Sequence, residues 1–256
     1  MFRLHAFALL AIAAMLTACG GSPTTNSSSS TQNSERSSRV PTSAKTVYDI
    51  HKMANWSSCS GDCSGEPGTG ATYSMTQSIG SPSLTGAAIK FDITGGTPWN
   101  TALWWKQLGG DDTKTHFLYE LSFYVADPNA AQALEFNVNQ NASGWRYEYA
   151  TQCDFRGNGT WRIWDHTQMH WVSTGKPCPI PAANQWNKLA LEFERTTDHR
   201  VHFIAVTLNG QRYPIDMYSD AFTASGSGID VAFQMDSTGT VVPWSTWVDD
   251  IKLSEW

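Results

Sequence analysis

Two short runs hold most of the side chains that are capable of chemistry. In Leu134-Glu135-Phe136-Asn137-Val138-Asn139 every second residue is apolar, and the same holds in Ile229-Asp230-Val231-Ala232-Phe233-Gln234-Met235-Asp236. Period-two alternation marks a β-strand with one buried face. It therefore puts Glu135, Asn137 and Asn139 on one side of the first strand, and Asp230, Ala232, Gln234 and Asp236 on one side of the second. Carboxyls set among amides allow two kinds of chemistry. One is proton exchange with a bound molecule, which needs two carboxyls at a defined separation and makes Glu135 and Asp236 the candidate catalytic pair. The other is hydrogen bonding to a polar ligand that leaves it unchanged. An antiparallel sheet with one solvated face would alternate in the same way with no ligand at all.

The chain also carries twelve tryptophans. Trp56, Trp186, Trp247 and Trp256 read as core fillers, whereas Trp99, Trp145, Trp161, Trp164 and Trp171 fall in loop-like or edge positions. Sugar rings present flat C–H faces that stack on indole, and polar edges that bond to Asn, Gln, Asp and Glu. A sheet face carrying both suits a polysaccharide. The expected carbohydrate-binding set is Glu135, Asn137, Asn139, Gln234 and Asp236 with Trp104, Lys106, Trp145, Trp161 and Trp164.

The elements that must position these groups are strands. Alternation predicts them over Phe117 to Val125, Ala133 to Asn139, Lys188 to Glu194, Val201 to Leu208, Gly228 to Asp236 and Trp247 to Leu253, with turn signals between them such as Asn158-Gly159 and Asn209-Gly210. Helical periodicity is nearly absent. Many strands in one region of this length predict an all-β, two-sheet antiparallel sandwich. A net charge of −6 gives no basic footprint, which excludes nucleic acid as a partner. There is no nucleophile elbow, phosphate loop or His-Glu-x-x-His motif.

The N-terminus reads as a targeting segment. Met1 to His5 is short and basic, and Ala6 to Leu16 is an apolar run too short to span a bilayer. Leu16-Thr17-Ala18-Cys19 resembles the lipobox of bacterial lipoproteins. The resemblance implies cleavage after residue 18, lipid on Cys19, membrane attachment through that lipid alone, and delivery to the outer membrane of the cell envelope. Residues 19–46 hold nine serines and five threonines and read as a flexible tether. Residues 47–256 then form one domain. In an exported protein the remaining four cysteines are expected as disulfides, Cys59–Cys63 and Cys153–Cys178 being favoured over a zinc site because neither pair has a zinc knuckle's two-residue gap.

The strand pattern, the polar ladder and the closing run Trp247-Val248-Asp249-Asp250-Ile251-Lys252-Leu253 resemble the concanavalin A-like lectin/glucanase superfamily, over most of residues 47–256. The resemblance implies a jelly-roll sandwich. Retaining glucanases of that superfamily carry Glu-x-Asp-x-x-Glu on one strand. Here Glu135 stands at the first position, but Asn137 and Gln140 replace the other two carboxylates, and an amide cannot act as a general acid. A lyase would need a Tyr/His/Arg constellation; Tyr147, His166, His170 and Arg146 are present, with nothing to fix their geometry. The superfamily also implies a structural calcium held by terminal-strand aspartates, here Asp249 or Asp250 with Asp49. The expectation is a surface-anchored glycan-binding lipoprotein. The alternatives are a glycoside hydrolase or polysaccharide lyase using Glu135 and Asp236, and an adhesive envelope protein.

Overall fold

The computed structural model describes residues 40–64 and 70–256. Cys19, the signal peptide and most of the expected tether lie outside the described residues. The chain first forms β1 (Lys45–Val47), a 3-10 turn at Ile50–Lys52, β2 (Ser57–Ser60), β3 (Ala71–Ile79), β4 (Ala88–Gly96), β5 (Thr101–Gly109), β6 (His116–Val125), β7 (Ala131–Ala142) and β8 (Trp145–Asp154). It continues through β9 (Thr160–Asp165), β10 (His170–Pro177), β11 (Trp186–Arg195), β12 (Arg200–Leu208), β13 (Gln211–Asp220), β14 (Phe222–Thr223), β15 (Gly228–Ser237) and β16 (Trp244–Glu255).

These strands make two eight-stranded sheets. One runs β13-β12-β11-β6-β16-β4-β3 with β1 against β16, and the other runs β10-β9-β8-β7-β15-β5-β2 with β14 against β8. All the pairings between named strands are antiparallel. The molecule is the expected antiparallel jelly-roll sandwich. Each of the six strands predicted from alternation is present and extends a little beyond its predicted bounds. Asn209 and Gly210 both take positive φ, 50° and 86°, which is the turn that an Asn-Gly hairpin needs.

The faces that meet between the sheets are the apolar halves of the alternating strands. Leu134, Phe136 and Val138 pack with Val231, Phe233 and Met235, all buried. Phe91 and Phe136 reach Phe233 at ring-centroid distances of 4.9 and 5.6 Å, and Phe91 lies 4.8 Å from Trp104. Fixing these apolar sets inward fixes Glu135, Asn137, Gln234 and Asp236 outward, because a one-residue slip would turn every side chain over.

One disulfide closes a local loop and the other spans 25 residues. Both expected disulfides, Cys59–Cys63 and Cys153–Cys178, are formed. The domain also starts earlier than expected. Lys45 and Thr46, assigned to the tether, pair with Glu255 and Ser254, and the Lys45 Nζ donates to Glu255 Oε1 at 2.8 Å. Among the described residues no helix is long and apolar enough to cross a membrane.

Candidate functional site

The strand register gathers the polar ladders into rows across the outer face of the second sheet. Leu103 pairs with Gln234, Gln234 with Glu135, Glu135 with Gln152, and Gln152 with Arg162. One step along the strands, Trp105 pairs with Ala232, Ala232 with Asn137, and Asn137 with Ala150. Trp164 continues that second row, since its neighbour Ile163 is the partner of Thr151, and Trp164 in turn faces Trp171 on β10. A third row holds Gln107, Asp230, Asn139 and Glu148. The middle row is thus a floor of small side chains with indoles at its ends. With strands about 4.8 Å apart, Trp105 and Trp164 stand four strands, or roughly 19 Å, from one another.

The side chains of this face are closely packed. Glu135, Asn137, Gln234 and Asp236 are only 3–8% exposed although they point away from the opposite sheet. Their hydrogen bonds are largely mutual. Gln234 Nε2 donates to Glu135 Oε1 at 2.9 Å and to Asp236 Oδ1 at 3.0 Å, while Gln152 Nε2 donates to Glu135 Oε1 at 3.1 Å and to Asp236 Oδ2 at 3.2 Å. The two carboxyls thus share both amides. Burial first, and the Asp236 charge second, push the Glu135 carboxyl well above the usual carboxylate range. The pair therefore keeps a proton where an isolated carboxyl has lost one. Further along the sheet, Asp230 accepts from Asn139 Nδ2 at 2.8 Å and Gln107 Nε2 at 3.3 Å, and burial raises its carboxyl too.

That shared proton has a measurable consequence for folding. Above the ordinary value of 4.5 the unfolded chain releases the Glu135 proton while the folded chain retains it, so stability falls as pH rises towards the raised folded value. Glu135→Gln keeps the shape without the titrating carboxyl. Its melting temperature is expected to match or exceed the parent's at pH 5, with the advantage widening towards pH 8. An advantage that shrinks with pH would show that Glu135 is ionised in the folded state.

Five of the ten expected carbohydrate-binding residues come together on this face: Glu135, Asn137, Asn139, Gln234 and Asp236. Trp164 joins them. The other four do not. Trp104 pairs with Phe233 and is 1% exposed, and Trp161 pairs with Cys153 and is fully buried, so both are core residues. Lys106 pairs with Val231, whose side chain lies in the core, which puts it on the inner side of the sheet. Trp145 sits at the end of the sandwich, stacked on His199 at 4.4 Å. The tryptophans expected as fillers, Trp56, Trp186, Trp247 and Trp256, are half-buried instead.

The expected calcium ligands Asp49 and Asp249 do meet, with Oδ1 atoms 3.9 and 3.0 Å from His51 Nε2, but around an imidazole. Asp249 is fully buried, and each of its oxygens already accepts three hydrogen bonds. Oδ1 takes them from Thr85 Oγ1, Asp250 N and His51 Nε2, and Oδ2 from Ser83 Oγ, Leu84 N and Thr85 N, all between 2.6 and 3.0 Å. Such a shell of donors serves an anion and leaves no lone pair for a cation. Asp49 is 58% exposed and paired with Lys52 at 2.9 Å, and Asp250 points outward. Among the described residues no group of three His, Cys, Asp or Glu side chains is arranged to hold a metal.

Comparison with known proteins stays at the level of architecture. No family model matches the chain. No curated protein matches it either. Solved structures with a similar sandwich include carbohydrate-binding modules of the β-sandwich superfamily, at 10% identity and a TM-score of 0.45, covering 82% of this chain and 60% of that one. The chain thus spans under two thirds of that structure's length. Another is a carbohydrate esterase from Shiga toxin-encoding bacteriophage phi24B, at 14% identity and a TM-score of 0.46, covering 80% of this chain and 92% of that one. A third is the family 11 carbohydrate-binding module from Clostridium thermocellum in complex with a β-1,3-1,4-mixed-linked tetrasaccharide, at 17% identity and a TM-score of 0.41, covering 82% of this chain and 94% of that one. At these identities and scores the likeness does not extend to a site.

What the site can do chemically follows from its own geometry. Glu135 and Asp236 are both held by the amides of Gln152 and Gln234, which commits the oxygens that acid–base work on a glycosidic bond would need free. Nor do the lyase candidates assemble. Tyr147 is buried towards the core, with its hydroxyl 3.0 Å from His199 Nδ1. Arg146 bonds Glu148, His166 stacks on Phe222, and His170 is exposed at the start of β10.

Three residues central to the face were not singled out for it. Gln152 and Trp105 lie on strands where alternation is weak, in Tyr149-Ala150-Thr151-Gln152 and in Leu103-Trp104-Trp105-Lys106. Trp171 is placed by its register against Trp164. For Trp161 and Trp164 a usable signal does exist. The order Trp161-Arg162-Ile163-Trp164 alternates, and the apolar Ile163 puts Trp161 inside and Trp164 outside.

Proposed function

We propose that the chain is a carbohydrate-binding domain whose ligand lies across the strands of the second sheet, between Trp105 and the Trp164–Trp171 pair. The observation that supports this most directly is the middle row. Small side chains at Ala232, Asn137 and Ala150 leave room over the floor, indoles bound it, and amide and carboxyl rows flank it on both sides. Aromatic faces with a few convergent polar groups are what a sugar needs to be held. The commitment of Glu135 and Asp236 to the Gln152 and Gln234 amides favours binding over hydrolysis. We further propose that lipid on Cys19 tethers the domain to the cell envelope, a reading supported by Leu16-Thr17-Ala18-Cys19. Affinity electrophoresis of the domain through gels containing dissolved polysaccharides tests the binding function. Retardation by at least one polymer is expected. Unchanged mobility in every one would leave the adhesive reading in its place.

A further inference from the structure

The hydrogen-bonding groups of this face are spent unequally, and that bears on which glycan it can hold. The amide N–H groups of Gln152 and Gln234 are directed at Glu135 and Asp236, and those of Asn139 and Gln107 at Asp230. Both arginines on the face are likewise engaged. Arg162 is paired with Asp154, whose carboxylate also accepts from Gln132 Nε2 and Gly157 N, and Arg146 donates to Glu148 Oε1 and Asn141 Oδ1. His166 lies against Glu148 Oε2 at 3.4 Å and is stacked on Phe222. Acceptors are left over. Gln152, which is 93% buried, has an amide oxygen with no partner. A buried acceptor without a donor is costly, and it shows that this face carries more acceptors than its own donors fill.

From this arrangement we propose that the site takes a neutral, hydroxyl-rich glycan whose hydroxyls donate to the acceptors along this face, and that it rejects glycans bearing carboxylate or sulfate groups. This rests on the carbohydrate reading of the same face. The physical reason is one of counting and of sign. A sugar hydroxyl can donate to an acceptor-rich surface, whereas an anionic substituent brings only more acceptors. It would also lie beside the one negative charge that the Glu135–Asp236 pair carries and beside Asp230, while among the described residues the arginines of the face, Arg146 and Arg162, are already paired with Glu148 and Asp154. Specificity of this kind comes from what the wrong partner leaves unpaired or repelled.

Matched polymers that differ only in charge provide the test: hydroxyethyl cellulose against carboxymethyl cellulose, dextran against dextran sulfate, and methyl-esterified against de-esterified polygalacturonate. They are compared by affinity electrophoresis of the full domain, with Trp105→Ala and Trp164→Ala run alongside and far-UV circular dichroism confirming that each is folded. The neutral member of a retarding pair is expected to bind at least about tenfold more tightly than its charged partner, as like charges facing each other across a binding surface demand. Glu135→Gln combined with Asp236→Asn should narrow that ratio. A charged member that binds as well as its neutral partner, with retardation lost in the tryptophan variants, would overturn the inference and leave the site standing. Retardation that survives both tryptophan variants, or none in any gel, would overturn the site itself.

Discussion

Alanine at Trp105 or at Trp164 is expected to weaken binding of the retained polysaccharide by at least about 2 kcal/mol, the scale of a buried aromatic anchor, which is roughly 30-fold in affinity. Each indole sits on the outer face, Trp105 opposite Ala232 and Trp164 opposite Trp171. Neither is part of the buried aromatic cluster around Phe91, Phe136 and Phe233, so removing either should leave the far-UV spectrum and the melting temperature nearly unchanged. The separation between them adds a sharper requirement. At roughly 19 Å, from the strand spacing, a long polymer reaches both indoles while a disaccharide reaches one. The double variant should therefore lose far more with polymer than with a short oligosaccharide. Titration calorimetry of the parent, both single variants and the double variant measures this. Equal affinity of parent and double variant for the polymer would remove the floor between the indoles as the binding surface.

His51→Ala is expected to cost about 1.5–3 kcal/mol of folding stability, the usual worth of a buried hydrogen bond to a charged group. His51 and Asp249 are both fully buried, with Nε2 and Oδ1 3.0 Å apart. The Ile251 N–H points at His51 Nδ1 from 3.2 Å. That nitrogen must therefore accept, leaving Nε2 to carry the hydrogen and donate it to Asp249. Burial lowers the pKa of His51, so the ring stays neutral. Burial alone would raise the Asp249 carboxyl, but hydrogen bonds from Ser83, Thr85 and Leu84 outweigh it and hold it well below the usual range. Both shifts act in the same direction as pH falls. The unfolded chain takes up a proton at its histidine below about 6.5 and at its aspartate below about 3.9, while the folded pair resists both, so stability drops on acidification. Thermal unfolding at neutral pH should show the variant's midpoint lowered by roughly 2–4 °C for each kcal/mol, as expected for a domain of this size. The parent's midpoint should fall between pH 7 and pH 5 more steeply than the variant's. A loss under about 1 kcal/mol would mean that Asp249 is held without the imidazole.

The parts of the face that were legible in the amino-acid sequence are those where one side of a strand is purely apolar. Phe136 and Phe233 could only be core residues, and Glu135 and Gln234 had to point the other way. Pairing is different, because it joins residues about a hundred positions apart and leaves no local trace. Gln234 meets Glu135 across such a gap, and the glutamine amides that bind both carboxyls follow from that register. On β5 the neighbours Trp104 and Trp105 are both large and aromatic, so hydrophobicity cannot tell the core indole from the exposed one. Register against Phe233 and Ala232 decides it. The closing strand misled for another reason. An aspartate near a strand end looks the same whether it awaits a cation or is enclosed by N–H and O–H donors, and the donors of Asp249 come from residues 83–85, far away in the chain.

The central place of the last two strands governs when the binding face can first exist. β15 lies between β7 and β5 in one sheet, and β16 lies between β6 and β4 in the other. Until both have been made, each sheet is two separated halves, and Glu135 lacks both Gln234 and Asp236. A growing chain that has everything up to Ala221 therefore lacks the proposed site and has exposed edges of β5, β7, β4 and β6. Contacts of such long sequence separation make folding slow, and unpaired edges invite pairing with other chains. Copies that stop before β15 would thus lack the proposed glycan site and be prone to aggregate, so that making these two strands and assembling that face become one event.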